Sequence, residues 1–123
     1  MRVAEYIEMP AGQLEGRARH DDDVEPEPSL HELLASVPAA MLRSFSDGLL
    51  APLREYDDRR NAELLATLRS FLDCDGSWSA CASQLYVHVN TVRYRISRVE
   101  ALTGRDLSAL ADRVDFFLAL RSS

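Results

Sequence analysis

The sequence predicts an all-α fold, arranged as a small helical bundle. Apolar side chains recur at helical spacing in several segments, most clearly over residues 64–72. Glycine, proline and capping residues separate these segments. No segment alternates apolar and polar residues between turn residues, as a strand would.

Length and composition indicate a soluble globular protein. The 123 residues suffice for one compact domain and a tail, and 46% of them are hydrophobic and 28% charged. No apolar run approaches the roughly 20 residues of a membrane span, and the N-terminus lacks a signal-peptide pattern. We therefore expect a cytoplasmic protein with no membrane partner.

Residues of the types that carry out catalysis or bind metals do not cluster in the sequence. Cys74 and Cys81 stand without a second pair or a histidine at metal-ligand spacing, so we expect packed, reduced thiols. No nucleophile with its base, paired carboxylates or glycine-rich phosphate loop is present. The sequence predicts no enzyme, no metal, no cofactor and no small-molecule ligand.

The chain is predicted to have three parts. Residues 1–28 combine proline, glycine and acids, which predicts a disordered acidic leader. Residues 29–58 are expected to form a short helical segment suited to dimerisation, and residues 59–123 a helical domain. The net charge of −6 arises in the first half, because residues 61–123 hold seven acids and seven arginines.

Capping residues and prolines set the predicted helices of the first half. Ser29 caps a helix, with Glu32 at the capping-box spacing. Pro38 opens a second helix, which is expected to end near Gly48. A short helical turn or two should follow around Pro52.

In the second half, a strong apolar stripe predicts a helix from about Asn61. Gly76 is expected to stop it and Ser77 to cap a short helix over 78–85. A longer helix should run over 89–102, and Ser108 should cap a last one. The apolar side of that last helix is expected to comprise Leu110, Val114, Phe117 and Leu118.

The two helices around residues 86–88 predict a helix-turn-helix. Ala82 lies where they would cross, Val87 in the turn, and Val92 and Ile96 on the inner side of the second helix. This spacing is typical of the motif whose second helix enters the DNA major groove.

With the aliphatic stripe inward, the outer side of the second helix carries side chains that read bases. Arginine pairs with guanine and asparagine with adenine, and Thr91 suits a phosphate. Arg95 and Arg98 are expected at the flank, near phosphate or protein. The other interpretation is a merely solvated helix face. The predicted DNA-binding residues are His88, Val89, Asn90, Thr91, Arg93, Tyr94, Arg95, Ser97 and Arg98.

Residues 64–121 resemble the C-terminal helix-turn-helix domain of the PucR/CdaR family of bacterial transcriptional regulators. The resemblance rests on "LRSFLD", "LYVHVNTVRYRI" and "LTGRDL", and covers about half of the chain. It implies a DNA-binding domain related to the factor for inversion stimulation, with residues 88–100 as the recognition helix.

Two residues depart from the family pattern. Tyr86 stands at a turn position that is glycine in many such motifs, and Val89 replaces the arginine that commonly follows the histidine. Family members usually carry a long N-terminal sensor region, whereas about sixty residues precede the domain here. The resemblance therefore implies either a fragment or a short stand-alone member.

We predict a sequence-specific DNA-binding transcriptional regulator whose partner is double-stranded DNA. One recognition helix reads few base pairs, so a homodimer is expected, with Phe116 and Leu120 among its candidate contacts. The alternative is a protein-interaction module that keeps the fold without binding DNA. The negative net charge and Val89 favour that alternative.

Overall fold

The structure is a computed structural model that describes residues 27–123. These residues form six α-helices and no strand, so the predicted all-α class is confirmed. The leader predicted for residues 1–28 lies outside the described residues, apart from 27 and 28. The helices are Leu30–Ala35 (α1), Ala39–Arg60 (α2), Leu64–Asp73 (α3), Trp78–Leu85 (α4), Val89–Thr103 (α5) and Leu110–Arg121 (α6).

Helix α1 begins as predicted but packs on no other described helix. The Ser29 hydroxyl accepts the backbone N–H of Glu32 at 3.2 Å. None of the residues in α1 is buried, and Leu30 and Leu33 are exposed. This helix therefore contributes nothing to the core of the bundle.

Helix α2 is continuous through both residues that were expected to interrupt it. Gly48 and Pro52 lie inside its 22 residues, so the predicted end near Gly48 is wrong. An interior glycine costs about 1 kcal/mol and an interior proline about 3 kcal/mol. Burial of the three leucines 49, 50 and 53 contributes about 1.5–3 kcal/mol each, which outweighs that cost.

A single core joins α2 to the helices of the second half. Helix α2 packs against α3, α5 and α6, and α3 packs against α4, α5 and α6. The fully buried large side chains of this core are Leu50, Leu53, Leu64, Leu68, Val92, Ile96, Val99 and Phe116.

The junction between α2 and α3 depends on one carboxylate. Asp57 accepts the backbone N–H groups of Leu64 at 2.7 Å and Leu65 at 3.1 Å, although it lies in α2. It therefore supplies the cap that Glu63, which makes no capping bond, does not provide. The expected boundary between residues 58 and 59 falls in the last turn of α2, and the division into domains stays a prediction.

Helix α6 differs from the prediction in its start and in its buried side. Ser108 does not cap it: the N-cap is Ala109, and the Ser108 hydroxyl donates to Asp106 at 2.6 Å. Leu110 and Phe117 are exposed, so the predicted apolar side is wrong for both, while Val114 and Leu118 are half-buried. The residues that α6 buries are Asp112, Asp115, Phe116 and Ala119.

A buried ion-pair cluster explains that rotation of α6. The guanidinium of Arg105 donates to Asp112 at 3.0 Å and to Asp115 at 2.5 Å, and Asp115 is fully buried. Burial alone would lower the pKa of Arg105, but the hydrogen bonds and charges of the two carboxylates raise it. Turning these carboxylates inward brings Phe116 into the core, so its predicted place on a dimer surface is wrong. Leu120 is half-buried against the same core.

Candidate nucleic-acid interface

The turn between α4 and α5 is tight. Tyr86 has a left-handed backbone conformation, with φ of 57°, and its side chain is 95% exposed. The backbone N–H of Val87 donates to the carbonyl of Ala82 at 3.1 Å, which closes the end of α4. The left-handed residue and this hydrogen bond together separate the two helices sharply, as a helix-turn-helix requires.

His88 caps the start of α5 with its imidazole. Its Nδ1 accepts the backbone N–H of Asn90 at 3.0 Å, and its carbonyl accepts the N–H of Thr91 at 2.9 Å. These bonds occupy two of the backbone N–H groups in the first turn of α5, which are therefore not open to a phosphate. Because Nδ1 is an acceptor here, only Nε2 of His88 can donate a hydrogen bond outward.

The inner side of the motif is apolar, as predicted. Val92 and Ile96 expose no more than 1% of their surface. Ala82 is also buried, between α4 and α5. Cys81 lies beside Ala82 and is also fully buried, and this burial raises the pKa of its thiol.

The outer side of α5 carries most of the predicted DNA-binding residues. Val89 and Thr91 are half-buried at its first turn, with Val89 packed against the core. The exposed members are His88, Asn90, Arg93, Tyr94 and Ser97.

Arg93 is held by an aromatic ring from the preceding helix. Its guanidinium lies 5.0 Å from the ring centroid of Trp78, which in turn packs on Phe71 at 4.8 Å. Such a cation–π contact contributes about 0.5–1 kcal/mol at an exposed site. The sequence pattern carries no signal for this contact between Trp78 and Arg93. This contact restricts the side chain of Arg93, so less side-chain entropy would be lost if Arg93 bound a ligand.

Arg98 and Tyr94 form a pair on the same side of α5. Arg98 donates to the phenolic oxygen of Tyr94 at 3.3 Å, and its guanidinium lies 5.7 Å from the Tyr94 ring centroid. The hydrogen bond and charge of Arg98 lower the pKa of Tyr94, and the same bond raises the pKa of Arg98.

Arg95 faces the protein. It donates to the Thr67 hydroxyl at 3.2 Å and lies 3.5 Å from a carboxylate oxygen of Glu63. Only 18% of its side chain is exposed. The structure therefore separates Arg95 from the other arginines of α5.

None of the helices in residues 27–123 combines the length and the apolar surface that a bilayer crossing requires. The same residues bring together no group of three histidine, cysteine, aspartate or glutamate side chains able to hold a metal ion.

Comparison with protein families gives a match that coincides with this part of the structure. The model of the PucR C-terminal helix-turn-helix domain matches residues 64–122, which run from the start of α3 to the end of α6. Residues 64–122 are a PucR C-terminal helix-turn-helix domain. The named regulators among the relatives of the chain agree with this assignment.

Relatives occur in several bacteria. An uncharacterised protein of Mycobacterium tuberculosis is 56% identical over 43 residues, 35% of this chain and 10% of its own length. The proline-responsive transcriptional activator PutR of Bacillus subtilis is 37% identical over 71 residues, 58% of this chain and 17% of its own. The purine catabolism regulatory protein of the same organism is 37% identical over 90 residues, 73% of this chain and 17% of its own.

The chain thus spans less than a fifth of the length of these three relatives. The 90 residues shared with the purine catabolism regulatory protein reach ahead of the PucR domain into α2. No solved structure matches the chain.

Proposed function

We propose that this protein is a sequence-specific DNA-binding transcriptional regulator that places α5 in the DNA major groove. The observation that carries the proposal is the division of α5 into two sides. Its aliphatic side is buried, and its opposite side presents Asn90, Arg93, Tyr94 and Ser97 to solvent. The PucR domain assignment and the regulator names of the relatives support a role in transcription.

The side chains on this surface divide by their roles. Arg93 and Asn90 are suited to guanine and adenine edges, respectively. Arg98, at the edge of the surface, suits a phosphate, which would fix the register without reading sequence. We infer a cytoplasmic location because bacterial DNA lies there, and no catalytic activity because the domain is of a regulator family.

Arg93→Ala should relax the base preference, whereas Arg98→Ala should weaken binding to all sequences alike. The loss at one base-pair position should be about 1–3 kcal/mol for Arg93→Ala, because one bidentate contact is removed. Arg98→Ala should lower the magnitude of the slope of log affinity against log salt concentration by about 0.9, the value for one phosphate contact. Selection of bound sites from random DNA, followed by salt titrations on the selected and mixed sequences, measures both effects.

Arg121→Ala is the matched control, because Arg121 also stacks on an aromatic ring but lies on α6. It should bind DNA as the parent does. If the parent shows no salt-dependent DNA affinity, the chain is instead an interaction module that has kept the fold. If Arg93→Ala and Arg98→Ala both bind as the parent does, the proposed DNA-binding surface is wrong.

We further infer that the protein binds DNA as a homodimer, through α1 and the start of α2. A single recognition helix reads few base pairs, so two half-sites about one helical turn apart are expected. Leu30, Leu33 and Met41 are 43%, 50% and 62% exposed, and α1 packs on no other described helix.

Leu33→Glu combined with Met41→Glu should convert the dimer to a monomer, because two charges would be buried in the apolar contact. Sedimentation velocity measures the change in mass. Leu110→Glu is the control, since Leu110 is equally exposed but lies on α6. A monomeric parent, or a charged variant that stays dimeric, would contradict the inference.

A further inference from the structure

Two arginines from different helices contact one tyrosine ring. The guanidinium of Arg98 in α5 lies 5.6 Å from the ring centroid of Tyr56 in α2, and that of Arg60 lies 5.8 Å from the same centroid. Arg98 also contacts Tyr94. We call Arg60, Tyr56, Arg98 and Tyr94 the arginine–tyrosine row.

The row connects the surface of α5 to the C-terminal end of α2. Tyr94 and Arg98 are four residues apart, so they share one side of α5. Arg60 is the last residue of α2 and lies ahead of the PucR domain, which begins at residue 64. Asp57 fixes the end of α2 to the start of α3, so the part of the row that lies on α2 is held in place.

The positive charges of the row are not neutralised within the described part of the chain. No carboxylate of residues 27–123 forms an ion pair with Arg60 or Arg98, whereas Arg54, Arg95 and Arg105 all have carboxylate partners. Arg60 is exposed, and Tyr56 is half-buried against the core. The row therefore presents two uncompensated cations on a rigid support.

A favourable interaction with the helix dipole at the end of α2 does not by itself explain why Arg60 lies against the ring of Tyr56. Arginines in the last turn of a helix interact favourably with its dipole. Arg59 and Arg60 both occupy the last turn of α2, so this role is open to either of them. Only Arg60 contacts an aromatic ring and thereby reaches towards Arg98.

We propose that the DNA contact extends from α5 to the end of α2, where Arg60 and Arg98 bind phosphates of the DNA backbone on either side of Tyr56. The proposal rests on the proposed function. The two guanidinium carbons lie no more than about 12 Å apart, because each is within 6 Å of one ring centroid. Duplex DNA carries one phosphate charge per about 1.7 Å of its axis, so two phosphates fall within this reach.

Tyr56 acts as a positioning residue in this contact. Its ring orients both guanidinium groups before DNA arrives, so less side-chain freedom is lost on binding. The contact lies outside the base-reading residues, and it adds affinity for DNA of any sequence.

Arg60→Gln in the full chain tests the proposal, with Arg59→Gln as the matched control in the same helical turn. Fluorescence anisotropy with a mixed-sequence duplex over a range of salt concentrations gives the affinity and its salt slope. Arg60→Gln should lower the magnitude of the slope by about 0.9, the value for one phosphate contact. Arg59→Gln should leave the slope unchanged, and base preference should be unaltered in both.

Tyr56 provides a second test. Tyr56→Phe should keep the parent affinity because the ring remains, whereas Tyr56→Leu should lose affinity at unchanged base preference. Thermal unfolding of each variant separates this loss from misfolding.

Equal slopes for Arg60→Gln and the parent would overturn the extension while leaving the role of α5 intact. Equal losses for Arg59→Gln and Arg60→Gln would also overturn it, because they would indicate only a general effect of charge. A parent without salt-dependent DNA affinity would instead overturn the proposed function itself.

Discussion

Arg105→Ala is expected to lower the free energy of unfolding by about 3–5 kcal/mol, the cost of removing one partner from a buried ion pair. The variant removes the guanidinium that contacts both Asp112 and Asp115, and Asp115 has no exposed surface. Two neighbouring buried carboxylates also repel each other. A loss of this size is a large fraction of the stability of a small domain.

Urea denaturation followed by circular dichroism measures this loss. Arg69→Ala is the control, because Arg69 is exposed on α3 and its change should fall within about 0.5 kcal/mol. Replacing the ion pair by an apolar pair, with Arg105→Met and Asp115→Leu together, should recover part of the lost stability. A loss below about 1 kcal/mol for Arg105→Ala would contradict a stabilising role for this ion pair.

Phe116→Ala should destabilise the protein by about 3–5 kcal/mol, because a fully buried ring would be replaced by a cavity. Phe117→Ala should lower the free energy of unfolding by less than about 1 kcal/mol, since Phe117 is 38% exposed. Its ring centroid lies 5.2 Å from the guanidinium of Arg121. The two residues are adjacent and chemically identical. Their difference therefore measures which side of α6 faces the core.

Thermal and urea unfolding of both variants give this difference. Similar losses for the two phenylalanines would contradict the rotation of α6 seen here. A larger loss for Phe117→Ala would restore the apolar side that the sequence alone predicts.

The helices whose limits depend on neighbouring residues could be predicted from the sequence. The cap of Ser77 on α4, the left-handed Gly76 and the turn at Tyr86 are all local features, and the structure has them as expected. By contrast, the continuity of α2 depends on leucines that pack against distant helices. No window around Gly48 and Pro52 carries that information.

The rotation of α6 could not be predicted for a related reason. The sequence pattern predicts an apolar stripe through Leu110 and Phe117. The buried side is instead selected by Arg105, which precedes the helix. Aspartates are rarely buried unless they are paired. A sequence pattern that counts only apolar residues therefore assigns Asp112 and Asp115 to solvent.

Much of the candidate site follows from the sequence, because the inner and outer sides of α5 obey helical periodicity. The contacts between helices do not follow from it. The stacking of Arg93 on Trp78, the attachment of Arg95 to α3 and the contact of Arg98 with Tyr56 all join different elements. Their prediction requires the packing angles of the bundle.

The single carboxylate at the junction of α2 and α3 makes the cooperative folding unit larger than the PucR domain. A protein cut at residue 64 would lose Asp57 and leave the first N–H groups of α3 unpaired. It would also expose the core to which Leu50 and Leu53 belong. The missing helix would have to be supplied for the remainder to stay compact. Limited proteolysis should therefore spare the whole stretch from α2 to α6.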